Sequence, residues 1–89
     1  MNKRTVLIEQ TLRSALQPLE LTVIDDSAAH VGHVGARGGG GHFNVRIVAQ
    51  AFAGKSALER HRLVYTSLAK LMQHDIHALS IKALTPEEI

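Results

Sequence analysis

The sequence predicts an α+β domain, a three-stranded sheet with helices packed on one side, in the order helix, strand, strand, helix, strand. Three observations carry this expectation. Apolar residues repeat at helical spacing in two segments, 3–16 and 57–73, and at alternating spacing in three shorter ones. A chain of 89 residues has length for one core and not two, so residues 1–89 form a single domain. Between the second strand and the second helix, Gly54 supplies a turn residue. Ser56 and Glu59 then stand three apart, the spacing of a capping box.

The elements follow in order. Ile8, Leu12, Ala15 and Leu16 share one side of a helix over Lys3 to Leu16, with Glu9, Gln10 and Arg13 on the other. Pro18 disfavours helical backbone at Gln17 and ends it. Leu21 to Ile24 is β-branched and short, a strand with Leu21 and Val23 on one face. Asp25 to Gly41 reads as a loop whose glycines, four of them running from Gly38, carry a high conformational entropy and predict mobility. His42 to Val48 is the second strand, with Phe43, Val45 and Ile47 inward and Asn44 and Arg46 outward. A long helix is expected from Ala57 to Gln73, with Leu58, Val64, Tyr65, Leu68, Leu71 and Met72 as its apolar stripe and His61 on that stripe, aimed at the core. His74-Asp75 breaks it. The third strand spans Ile76 to Ala83, with His77, Leu79, Ile81 and Ala83 on one face. Thr85, Pro86 and two acids then start a short terminal helix.

Composition narrows the function. Hydrophobic residues at 45% and charged residues at 20% describe an ordinary globular domain. No apolar run approaches the roughly 20 residues that span a bilayer, and no apolar segment follows the basic Met1-Asn2-Lys3-Arg4, so the expectation is a cytoplasmic protein with no membrane partner. The net charge of +2 is dispersed, without the dense basic patch that marks phosphate binding. Cysteine is absent, which removes disulfides, thiol nucleophiles and thiolate ligands. Six histidines remain, and imidazole is the strongest metal ligand the chain offers.

Several motifs reduce to simpler readings. Gly54-Lys55-Ser56 resembles the end of a P-loop, but that loop needs a glycine at position 49, which is Ala49. Gly35-Ala36-Arg37-Gly38 matches the GxxG of KH domains, yet it lies between two strands rather than two helices. His30 with His33 and His74 with His77 form two H-x-x-H pairs, whereas a structural zinc site also needs four ligands closing a tetrahedron. No Ser/His/Asp set or paired carboxylates show a catalytic spacing, so no enzyme is expected.

Taken together, the residues resemble a known family. Ser27-x-x-His30-x-Gly32-His33, His42-Phe43-x-Val45, Phe52-x-Gly54-x-Ser56, Arg60-His61-Arg62-x-Val64-Tyr65, Ile76-His77-Ala78-Leu79 and Thr85-Pro86-Glu87 resemble the BolA family, in order and spacing, from Leu19 to Glu88. The resemblance implies a class II KH-like fold. It also implies a heterodimer with a monothiol glutaredoxin that shares a 2Fe–2S cluster, in iron–sulfur trafficking or iron homeostasis. The glutaredoxin would supply one thiolate and a bound glutathione another, while this chain supplies imidazoles, as on one iron of a Rieske centre. His77 matches the family's ligand at the start of the last strand. His30 matches the variable ligand position in the loop, with His33 in reserve. His61, Arg60 and Arg62 are expected to shape the site or the partner face. The free chain, expected to be a monomer, would hold no cluster and bind metal poorly. A second role of the family is DNA binding and transcription regulation, in which Arg60, Arg62, Lys70 and Lys82 would contact phosphates.

Overall fold

In the computed structural model, which describes residues 3–26 and 41–89, the element order is the expected one. Helix α1 (Lys3–Leu16) leads into β1 (Glu20–Asp25), which pairs antiparallel with β2 (Gly41–Val48). A 3-10 turn at Gln50–Phe52 precedes α2 (Ala57–Ser67) and the short α3 (Ala69–Met72). Strand β3 (Ile76–Leu84) then returns parallel to β2, giving the sheet order β1-β2-β3, and a 3-10 turn at Pro86–Glu88 closes the chain. A parallel pair needs a crossover long enough to return to the same edge, and α2 and α3 provide it.

The core is aliphatic with two phenylalanines. Ile8 and Leu12 of α1, Val64 of α2 and Leu68 beyond it pack on Val23, Phe43, Val45 and Ile47 of the sheet, with Phe52 in the same cluster. Leu16 packs at its edge, but Ala15 is exposed, so the buried side of α1 is narrower than the spacing suggests. After α1, Gln17 adopts φ 47°, and its N–H bonds the Arg13 carbonyl at 3.1 Å. This left-handed cap is a conformation that glycine enters without the Cβ penalty. Gln17→Gly is therefore expected to raise stability by up to about 1 kcal/mol in chemical denaturation.

Helix α2 begins as the spacing predicts. The Glu59 carboxylate accepts from the Ser56 N–H at 2.8 Å, and the Ser56 hydroxyl accepts from the Glu59 N–H at 3.2 Å. The backbone bond from Ser56, then its hydroxyl, holds the Glu59 carboxyl below the usual carboxylate range.

The long helix differs from expectation in two ways. It breaks at Leu68 (φ −100°, ψ 12°), whose N–H is shared between the Val64 and Tyr65 carbonyls at 3.0 and 3.2 Å. The Ser67 hydroxyl donates to the Leu63 carbonyl at 2.8 Å, a back-bond that bends helices. Nor is the stripe a single one. At about 100° per residue, Val64 and Tyr65 cannot face one core. Val64 and Leu68 are buried, whereas Leu58 and Tyr65, seven apart on a neighbouring line, are 59% and 40% exposed. His61 is half-buried rather than a core residue.

The third strand also departs from simple alternation. Gly41 pairs with Ile76 and His42 with Ala78, so β3 carries one extra residue, His77, at that point. The bulge shifts the phase by one. Ile76 turns inward to 3% exposure, and His77 leaves the face of Leu79, Ile81 and Ala83 and becomes exposed.

Candidate functional site

The bulge builds the candidate site. His42 lies on the sheet face opposite Phe43, Val45 and Ile47, and the extra residue directs His77 to the same side. Their ring centres are 5.2 Å apart, with the planes tilted by 44°. Backbone bonds hold the surroundings. The Asp26 N–H donates to the His42 carbonyl at 2.7 Å, and the Gly41 N–H donates to the Asp75 carbonyl at 3.0 Å. Both ends of the segment between residues 26 and 41 are therefore anchored beside His42 and His77. His42 is half-buried and opens onto a cleft of about 190 Å³ lined also by Asp26, Phe43, Asn44, Ala78 and Ser80.

His30 and His33, and the Gly35–Gly38 motif, lie outside the described residues. Among the described residues, no group of three or more His, Asp or Glu side chains is placed to hold a metal ion. His74 is exposed in the turn before β3, and His61 lies on α2.

Arg60 is held by four hydrogen bonds to three partners. Its Nε donates to the Lys55 carbonyl at 2.9 Å and Nη1 to the Ala83 carbonyl at 3.1 Å. Nη1 and Nη2 also grip the Glu88 carboxylate at 2.6 and 3.1 Å, a two-pronged pair. Glu88 in turn accepts the Thr85 N–H at 2.7 Å. The Arg60 fork, followed by that backbone bond, draws the Glu88 carboxyl down to about 2, and the Arg60 guanidinium is raised in return. Arg60 thus ties the start of α2 to the end of β3 and to the terminal turn. Arg62 and Lys70 are exposed on α2 and α3. Lys82 lies on the opposite side of the sheet from those helices, in a groove of about 240 Å³ shared with Thr22, Ile24, Asn44, Arg46 and Ser80. Arg46 there donates to Glu20 at 2.8 Å.

The family model described as "BolA-like protein" matches residues 12–88. The chain belongs to the BolA family. It is 45% identical over 94 residues to SufE-like protein 1, chloroplastic/mitochondrial, of Arabidopsis thaliana, an alignment covering all of this chain and 25% of that protein. To the DNA-binding transcriptional regulator BolA of Escherichia coli (strain K12) it is 41% identical over 81 residues, covering 91% of this chain and 74% of the relative. Among solved structures, the BolA domain of SufE1 from Arabidopsis thaliana superposes with a TM-score of 0.88 at 44% identity, covering 100% and 99% of the two chains. The BolA fold thus accounts for the α+β order, and the match runs from α1 to the terminal turn. No helix among the described residues is long and apolar enough to cross a membrane.

Sequence reasoning assigned no role to His42, although it stands in the His42-Phe43-x-Val45 motif. The parallel register of β2 and β3 and the extra residue at His77 bring the two rings together. Neither is visible from spacing within a single strand.

Proposed function

We propose that this BolA-like chain is the partner of a monothiol glutaredoxin and co-ligates a 2Fe–2S cluster through histidine, in iron–sulfur trafficking or iron homeostasis. The observation that supports this most is the exposed His77 at the end of the sheet, beside His42 and beside both anchors of the segment that carries His30 and His33. The donor set suits the group. Imidazole ligates one iron in Rieske centres, and a chain without cysteine leaves thiolates to be supplied by the glutaredoxin and glutathione. His77 would hold the cluster with His30 as second ligand, or His33 in its place. Half-buried His61 and exposed Arg62 on α2 would shape the partner face, with Arg60 fixing the helix that carries them.

The test is anaerobic reconstitution of the chain with glutaredoxin, glutathione, iron and sulfide, followed by visible absorption and circular dichroism. The expected result is a spectrum distinct from that of the glutaredoxin homodimer, lost or altered in His77→Ala. His30→Ala is expected to alter it too, and loss confined to His77→Ala would point to His33. An unchanged homodimer spectrum with the wild-type chain would sink this reading.

A second reading draws on the Escherichia coli relative, whose name describes a DNA-binding regulator. Arg60 is engaged within the chain, and Lys82 lies across the sheet from Arg62 and Lys70, so the four cations do not form one surface. Binding through Arg62 and Lys70 alone would fall with salt at a slope of about −0.9 per phosphate contact. A salt titration with a DNA fragment would find a much steeper slope if a larger interface exists.

A further inference from the structure

We propose that His42 and His77 form a two-imidazole chelate for a borderline divalent cation such as Zn²⁺. It would be a site of the free chain that requires neither a glutaredoxin nor His30 and His33. It shares His77 with the cluster reading but does not rest on it.

A zinc ion bound about 2.0–2.1 Å from a histidine nitrogen lies about 3.2 Å from that ring's centre. Two rings on one tetrahedral ion therefore have centres about 5.2 Å apart. The His42 and His77 centres are separated by 5.2 Å. The tilt of 44° shows that the rings are not stacked face to face. His77 is exposed, so rotation about its own side-chain bonds can turn a nitrogen toward a shared ion without moving the strand.

Both residues stand on hydrogen-bonded neighbouring strands, and the bulge that directs His77 toward His42 belongs to the backbone register. The backbone that carries the two rings is thus in place before any ion arrives, which lowers the ordering cost of binding. Imidazole is a preferred ligand of borderline cations. The cleft of about 190 Å³ beside His42, lined also by Asp26, has room for water in the remaining coordination positions. The H-x-x-H spacing pairs His77 with His74, in the turn before β3, whereas the fold pairs it with His42 on the neighbouring strand.

The test is calorimetric titration of the free chain with Zn²⁺, comparing wild type, His42→Gln, His77→Gln and the double variant His30→Ala/His33→Ala, with circular dichroism to check folding. The wild type is expected to bind about one ion per chain. Each of His42→Gln and His77→Gln should lose roughly tenfold or more in affinity, about 1.4 kcal/mol, while the double variant keeps wild-type affinity. Histidine ¹⁵N spectra of the wild-type chain, which need no variant to fold, should show the His42 and His77 rings shifting together on zinc addition. Absence of zinc binding by the wild type overturns the chelate whatever the cluster experiment shows. So does affinity that survives His42→Gln or disappears in the double variant. Loss of zinc affinity in a His42→Gln chain that still forms the mixed cluster supports the chelate and separates the two sites.

Discussion

Phe52→Ala is expected to destabilise the domain by about 3–5 kcal/mol, the cost typical of emptying a large buried aromatic site. Phe52 is completely buried in a 3-10 turn between β2 and α2, and it packs in the cluster that joins α1 and α2 to the sheet. Its backbone is also engaged, with its N–H on the Ala49 carbonyl at 3.2 Å and its carbonyl accepting from Lys55 at 3.1 Å. The site therefore has little freedom to collapse around a smaller side chain. Against the total of about 5–15 kcal/mol available to a natural domain, this loss is a large fraction. Urea denaturation would read it as a lower midpoint with an unchanged slope, and Phe52→Leu should lose less than half as much. A loss under about 1 kcal/mol would mean that the surrounding side chains close the cavity.

The second large effect concerns acid stability and the clamp on the terminal turn. The Glu88 carboxyl lies at about 2 in the folded chain, below its ordinary 4.5, chiefly because Arg60 grips it. A depressed carboxylate contributes stability that is present above its unfolded value and disappears as pH falls through the folded one. The window runs from about 4.5 down to about 2. Glu88→Gln removes the charge while keeping the shape, so its Tm should fall below the wild type's near neutral pH, and the gap should close across that window. Arg60→Lys should lower Tm as well, but its gap should close only in part across that window, since the lost bonds to the Lys55 and Ala83 carbonyls do not titrate. A Tm gap that stays constant from neutral pH to pH 2 would show that another group dominates the acid limb.

Arg60 also shows how a motif can be visible while its role is not. Arg60-His61-Arg62 stands out in the sequence and carries part of the family resemblance. Two adjacent positions on a helix diverge by about 100°, so neighbouring residues meet different surroundings. Arg60 reaches Ala83 and Glu88, 23 and 28 residues further along, and no local pattern foretells such contacts.

Local chemistry determined a good deal from the sequence alone. Element order, the Ser56–Glu59 capping box, the end of α1 before Pro18 and the inward set Phe43, Val45 and Ile47 all follow from spacing and backbone preference, which act over a few residues. Tertiary structure decided the rest. It placed Leu58 and Tyr65 outside the core, broke the long helix at Leu68 and inserted His77 as an extra residue opposite Gly41 and His42. These outcomes depend on which strands pair and in what register, and on how much of a helix the sheet can cover. The His42–His77 pair, 35 residues apart in sequence and 5.2 Å apart between ring centres, exists only because β3 returns parallel to β2 with one residue to spare.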